Sequence, residues 1–174
     1  PLGPRPLFQI GSSARILIAG QAPGRRTHGA RRVFDDASGV RLREWLGLDE
    51  ATFRDPDRVA ILPMGFCYPG RDARGGDNPP RPECAPLWHD RLLARLPALE
   101  LTLLVGRYAH ARYIPGARRR PLTDTVRAWR DLGPAAIPLP HPSWRSTLWM
   151  REHPWFEAEV VPELRRIVRR AARP

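Results

Sequence analysis

The stretch RILIAGQAPG at residues 15–24 carries the strongest fold signal in the chain. Its first half, Arg15–Ala19, is a short and mostly apolar run, and it passes directly into a turn rich in glycine and proline. Such a run is typical of a strand in a parallel sheet that is covered on both faces. Three further runs have this character and predict three more strands, at Val59–Leu62, Leu101–Val105 and Ala136–Leu139.

Helical patterns alternate with these strands, at Ser38–Leu46, Glu83–Leu96, Thr123–Leu132 and His153–Ala172. Thr123 and Asp124 are suitable caps for the third helix, and Pro162 is expected to divide the last one. Strands that alternate with helices predict the α/β class. We therefore expect a three-layer α/β/α sandwich around a short four-stranded parallel sheet, formed by residues 1–174 as a single domain.

The charge balance indicates a polyanionic partner. All 29 basic residues are arginine, against 18 acidic residues, and the formal net charge is +11. This excess is typical of nucleic-acid binding, although a coding bias toward arginine is an alternative cause. Because the chain has no lysine, an imine intermediate would have only the N-terminal amine available, and this chemistry is disfavoured.

Several classes of protein are disfavoured by what the sequence lacks. Apolar runs stay well below the roughly 20 residues that a membrane span needs, and the residues at 1–6 lack the apolar segment of a signal peptide. We expect a cytoplasmic protein with no membrane partner. Cys67 and Cys84 cannot complete a four-cysteine site, so we expect buried reduced thiols, no metal and no other cofactor.

Three predicted strands end in unusual loops, and ligands of open α/β sheets bind at the carboxyl ends of strands. Gly20–Gly24 could present backbone amides to a flat polar ligand, or could be a plain strand-to-helix turn. The second loop covers residues 63–70, and the long segment Tyr68–Pro82 is typical of a functional loop. In the third loop, Pro140–Ser143, His141 could bind an anion or have a structural role, and Ser143 could cap a helix.

Taken together, these loops resemble a known family. GQAPG at 20–24 is similar to motif A of the uracil-DNA glycosylase superfamily, which reads GEAPG or GEGPG in its iron–sulfur branch, and HPS at 141–143 is similar to the start of motif B. Phe34 lies ten residues after Gly24, at the offset of the base-stacking Phe in the family's PFVGxAG segment. CYPG at 67–70, ECAP at 83–86 and LLVGRYA at 103–109 resemble further family segments, so the resemblance covers nearly the whole chain.

The resemblance implies a monofunctional DNA glycosylase of base-excision repair. Such an enzyme flips uracil or another deaminated base out of DNA and hydrolyses its N-glycosidic bond. It implies His141 and Gln21 as catalytic residues, the first stabilising the leaving base and the second helping to place water. It also implies DNA as the partner and a monomer as the oligomeric state. The residues implied to contact the base are Gly20, Ala22, Pro23, Gly24 and Phe34. Those implied to contact the rest of the DNA are Ser143, Trp144 and Arg145.

The chain departs from the family pattern within the site itself. Ala22 stands where other branches carry the Asp or Asn that positions water, and Gln21 stands where the iron–sulfur branch has Glu. Pro63 takes the place of the Asn that reads the base edge. Backbone groups of Met64 and Gly65 are therefore expected to contact the base instead.

Further departures affect charge, shape and cofactor. Asp35 and Asp36 are the carboxylates nearest in sequence to the expected site, and solvated loop acids are the favoured interpretation of both. Trp144 replaces the usual Pro after HPS, while Arg145 holds the position of the family's wedge residue. Since Cys67 and Cys84 match only two of the four cluster ligands, no iron–sulfur cluster is expected.

Three alternatives to this function stay open. A catalytically inactive DNA-binding or damage-sensing relative is favoured by Ala22, Gln21 and Pro63, because a fold does not fix an activity. A glycosylase for hypoxanthine or xanthine fits the same motifs. A hydrolase of nucleosides or small glycosides is disfavoured by the basic charge.

Overall fold

A computed structural model describes residues 3–73, 75–133 and 135–173, so positions 1, 2, 74, 134 and 174 of the predicted domain lie outside the description. Four parallel strands form one sheet in the order β2-β1-β3-β4, with bounds β1 Ile16–Gly20, β2 Val59–Pro63, β3 Leu101–Val105 and β4 Ala136–Leu139. The predicted fold class is confirmed, and each strand boundary lies within one residue of its expected position. The chain places β2 on one side of β1 and then β3 on the other side. The strand order therefore reverses between β1 and β3, which is where open parallel sheets bind ligands.

The sheet is covered on both faces, which explains its continuous apolar strands. All five residues of β1 are buried. Ile16 and Ile18 belong to the larger core, together with Trp45 and Phe53, while Leu17 packs into a smaller cluster on the other face.

Eight α-helices lie in the described parts of the chain. Their bounds are α1 Arg25–Ala30, α2 Ala37–Leu46, α3 Glu50–Arg54, α4 Cys84–Leu93, α5 Arg107–Tyr113, α6 Leu122–Arg127, α7 Ser146–Glu152 and α8 Val161–Ala171. Two 3₁₀ turns, at Ala117–Arg119 and Trp129–Leu132, and a π-helical turn at Phe156–Val160 complete the helical structure of these parts.

The predicted helix Thr123–Leu132 differs from the structure in its start and its continuity. It is split into α6 and the 3₁₀ turn at Trp129–Leu132, and the prediction that Thr123 and Asp124 cap it is wrong. The helix begins earlier, directly after Pro121, whose restricted φ of −54° suits a helix entry. The Thr123 hydroxyl instead accepts a hydrogen bond from Trp149 Nε1 at 2.8 Å.

The C-terminal helical region is divided near Pro162, as predicted. Pro162 lies in the first turn of α8, at the point where the π-helical turn Phe156–Val160 passes into the α-helix. The preceding π-helical turn buries Phe156 completely, with its ring centroid 5.0 Å from that of Trp45. Within the described residues, no helix combines the length and apolar character that a membrane crossing requires.

Two buried histidines brace the carboxyl edge of the sheet. His110 Nε2 donates to the carbonyls of Leu104 and Leu139 at 3.0 and 3.1 Å, which joins β3 to β4. His89 Nε2 lies 2.9 Å from the Pro63 carbonyl and must donate to it, so Nδ1 of the neutral ring accepts a hydrogen bond from the Tyr113 hydroxyl, 2.7 Å away. Burial lowers the pKa of both imidazoles.

We expect these histidines to make the protein acid-sensitive. Below the ordinary pKa of 6.5, these histidines bind protons in the unfolded chain but stay neutral in the folded chain. The stability is therefore complete above this pH and decreases as the pH falls toward the folded-state pKa. At about pH 5.5 the loss reaches up to about 1.4 kcal/mol for each histidine that stays neutral. Urea unfolding at about pH 7.5 and about pH 5.5 measures it, and equal free energies of unfolding would contradict the prediction. Carboxylates, with ordinary pKa values of 3.8 to 4.5, change little in this window.

Candidate active site

A cavity of about 490 Å³ lies at the carboxyl edge of the sheet. Its wall takes Gly20–Gly24 from the end of β1, Pro63 from the end of β2 and His141 from the loop after β4. Arg107, at the start of α5 just after β3, also lines it. The expected convergence of the three loops on one edge is therefore present in the structure.

Gly20 allows the loop after β1 to meet Phe34 closely. A Cβ atom at Gly20 would lie 3.4 Å from Phe34 Cζ, so the aromatic ring packs directly over the end of the strand. The Gly20 and Gln21 carbonyls accept hydrogen bonds from the amides of Met64 and Gly65 at 2.9 and 3.0 Å. These bonds fix the loop that carries Gln21 and Ala22 into the cavity wall.

Phe34 lines the cavity in an unusual backbone conformation. Its φ is +51°, in the left-handed region that residues other than glycine rarely adopt. The surroundings hold it there, because the Phe34 carbonyl accepts from Arg54 Nη2 at 3.2 Å and the ring meets Phe53 edge-on at 6.2 Å. Strain of this kind concentrates at functional sites, where the structure imposes a side-chain position.

His141 is fixed between Pro140 and Pro142 and is largely enclosed. Its side chain packs against Gly106, whose φ is +83° and at which a Cβ would lie 3.4 Å from His141 Cβ and 3.7 Å from His141 Cδ2. Burial lowers the pKa of His141, while the charges of Asp36 and Asp77 oppose that shift. The imidazole is consequently neutral near pH 7 and can donate one N–H into the cavity.

Ser143, Trp144 and Arg145 form the rim of the cavity. The prediction that Ser143 caps the next helix is wrong, since α7 begins three residues later without a side-chain cap. The segment first makes a turn, in which the Ser146 amide donates to the Ser143 carbonyl at 3.1 Å. Trp144 is 77 % exposed, and the Arg145 guanidinium lies 5.4 Å from its ring centroid.

The structure brings most of the predicted site residues together but not Met64 and Gly65. Pro63 lines the cavity at this point, whereas the next two residues are buried behind it. Their amides already donate to the carbonyls of Gly20 and Gln21. The prediction that their backbone groups contact the base is untested, and both amides already donate hydrogen bonds within the protein.

Asp36 has a different place from the solvated loop position that was favoured for it. It is half-buried in the cavity wall, where its carboxylate accepts from the Gly39 amide at 3.0 Å and from Thr27 Oγ1 at 3.3 Å. Asp35 fits the expectation better, because it is bound by Arg32 at 2.6 Å outside the cavity wall. The position of Asp36 just before α2 was the available signal, since Asp is a preferred N-cap.

Sequence reasoning missed the part that the long loop Tyr68–Pro82 plays in this cavity. Arg71, Gly75, Gly76 and Asp77 all line it. The length of the loop pointed to a function but did not indicate which side chains would face inward.

A shallow groove of about 420 Å³ adjoins the cavity. Arg25 and Arg26 from α1 and Arg71 from the long loop line it, together with the carboxylates of Asp36 and Asp77. Guanidinium groups bind phosphate oxygens well, so the groove offers a path for a polyanionic backbone beside the cavity.

The two cysteines are half-buried and unpaired, and so more accessible than expected. Among the residues that the structure describes, no group of three or more His, Cys, Asp or Glu side chains could hold a metal ion.

The site combines a cavity lined by Phe34 and His141 with an adjoining groove lined by arginines. The sequence model of the uracil DNA glycosylase superfamily matches residues 8–165. The chain belongs to this superfamily, as the motif resemblance indicated. Membership supports a DNA glycosylase type of function and DNA as the substrate polymer.

Proposed function

We propose that the protein is a monofunctional, monomeric DNA glycosylase that removes uracil or another deaminated base with water. One observation carries the proposal: a strained Phe34 and a neutral His141 line the same cavity at the end of β1. An aromatic face and a hydrogen-bond donor are what an extruded base needs, because it loses its stacking and its pairing partner on leaving the helix.

In this mechanism the base stacks on Phe34 and its carbonyl oxygen accepts a hydrogen bond from His141. The bond between the sugar C1′ and the base nitrogen breaks, and its electron pair leaves with the base as an anion. A fixed donor in an enclosed site stabilises this charge by several kcal/mol, and Gln21 helps to orient the attacking water. Because the chain has no lysine side chain to form an imine, water is the nucleophile.

The rim residues would replace the base that has left the helix. Trp144 is largely exposed beside the cavity, with Arg145 over its ring. Insertion of such a side chain offsets part of the few kcal/mol that unstacking costs.

The arginine groove leads to a prediction about DNA binding. We expect Arg25→Ala, Arg26→Ala and Arg71→Ala each to weaken binding of undamaged and damaged DNA equally, because phosphate contacts carry no sequence information. Each lost contact should lower the slope of log Kd against log salt concentration by about 1. Arg170→Ala is the matched control, since it removes the same charge on α8, outside the cavity and the groove. Equal slopes for the groove and control variants would contradict the groove's role.

A single-turnover assay on oligonucleotides containing uracil, hypoxanthine or xanthine, with detection of the free base, tests the function. Release of one or more of these bases is the expected result. DNA binding without release of any of them would favour the inactive, damage-sensing relative, for which Ala22 and Gln21 are the supporting residues.

A further inference from the structure

The loop after β1 supplies no carboxylate to the cavity. Ala22 stands at the family's water-positioning place, and Gln21 is too weak a base to accept a proton from water. Among the described residues that line the cavity, Asp36 and Asp77 carry carboxylates. Their surroundings differ in a way that separates their roles.

Asp36 is occupied by structural hydrogen bonds. The amide of Gly39 and the hydroxyl of Thr27 both donate to its carboxylate, and the first of these bonds caps α2. An oxygen atom that is held by a helix cap is poorly free to turn toward a water molecule. Asp36 therefore acts in the cavity as a fixed negative charge.

Asp77 lies directly against the loop that lacks the carboxylate. A Cβ atom at Gly24 would be 3.5 Å from Asp77 Oδ2, so the acid packs over the glycine that ends GQAPG. Like Asp36, it lines both the cavity and the arginine groove, and after Asp36 its charge is the second that raises the pKa of His141. Its carboxylate also shares a hydrogen bond with the Tyr68 hydroxyl, which leaves it lone pairs for a water molecule. Since the side chain is exposed at the mouth, bulk water reaches it.

The loop after β2 is built to hold this acid in place. Arg71 and Asp77 form an isolated antiparallel bridge. On its far side, the Asn78 amide donates to the Gly70 carbonyl at 2.9 Å and its side chain donates to the Pro69 carbonyl at 3.2 Å. Together with the hydrogen bond from the Asp72 amide to the Gly76 carbonyl at 2.8 Å, these bonds fix the backbone on both sides of Asp77.

We infer that Asp77 supplies from this loop the carboxylate that is absent at Ala22, and that it accepts the proton of the attacking water. The inference rests on the proposed function. As the C1′–N bond breaks and its electron pair leaves with the base, the water oxygen forms the new C1′–O bond. One water proton passes to an Asp77 carboxylate oxygen, and the second stays on the new hydroxyl group.

Single-turnover base release by Asp77→Asn, with Asp36→Asn as comparison, tests this role. We expect Asp77→Asn to release base about 100-fold more slowly, the lower end of the range for general bases, because bond breaking leads the reaction. The melting temperature should match the wild type, and DNA affinity should not fall, because the substitution removes a negative charge from the arginine groove. In Asp77→Ala, added formate should restore part of the rate, which it cannot do for a residue that only shapes the loop.

The outcomes separate this inference from the proposed function. Asp77→Asn at the wild-type rate would overturn the role of Asp77 alone, as would a loss confined to Asp36→Asn. A slow Asp77→Ala that melts early and does not respond to formate would also overturn it, in favour of a structural role. A wild-type protein that releases none of the three bases would overturn the proposed function, and the role of Asp77 with it.

Discussion

We expect His141→Ala to lower the single-turnover rate of base release by about 100- to 1000-fold, the loss that follows removal of one fixed donor from a developing anion. The donor is valuable because it is enclosed and neutral. Burial lowers the pKa of His141, so no proton has to be lost before the base binds. The negative charge on the base arises only as the glycosidic bond breaks, and an interaction of this kind affects the rate rather than binding.

DNA affinity of His141→Ala should therefore stay within about threefold of the wild type, which separates a catalytic loss from a binding loss. His153→Ala is the matched control, because His153 stacks on Trp149 at 4.7 Å and lies outside the cavity wall. Base release, binding by fluorescence anisotropy and melting temperature are measured for both variants. Release by His141→Ala at the rate of the control would exclude His141 from the reaction.

The strands could be predicted closely because their burial is visible in the sequence. A strand covered on both faces needs an unbroken apolar run, and the glycines and prolines that follow mark its end. The end of α4 was harder to predict, since Leu96 packs into the core from the turn after the helix and extends the apolar pattern beyond Leu93. Apolar periodicity indicates which residues are buried, and here the buried residues continue past the last residue of the helix.

Some residues of the site could be predicted from their place in the sequence, and others depend on long-range contacts. His141 and the loop Gly20–Gly24 follow directly from strand ends, so their meeting could be inferred from the topology of a parallel sheet. Asp77 and Gly24 are more than fifty positions apart, and their contact depends on how the long loop folds back. No periodicity or spacing in the sequence specifies that path. Asp36 was named as a nearby acid but placed in solvent, because an acid before a helix predicts a cap equally well whether it faces solvent or a cavity.

Gly39 links the fold to the site, and we expect Gly39→Ala to damage both. A Cβ atom at this buried position of α2 would lie 1.9 Å from the Phe34 carbonyl oxygen and 2.8 Å from its carbonyl carbon. The obstructing atoms belong to the backbone and cannot rotate away, so α2 or the Phe34 peptide has to move. Overpacking of this kind lowers the free energy of unfolding by about 1 to 3 kcal/mol.

The shift should also reach the chemistry, because the same peptide holds Phe34 at its positive φ and its ring against Gly20. We expect base release by Gly39→Ala to fall about tenfold, since a misplacement of about 1 Å can cost up to 100-fold in rate. Gly29→Ala is the matched control: it makes the same change within α1, where a Cβ would meet nothing within 4 Å. Because Gly29 lines the arginine groove, base release is compared at saturating enzyme. That variant should be neutral or more stable by up to about 1 kcal/mol, because alanine is the better helix former. The free energy of unfolding in urea and the single-turnover rate of base release are measured for both variants. If Gly39→Ala matches Gly29→Ala in both, the close approach of α2 to Phe34 does not set the position of the stacking ring.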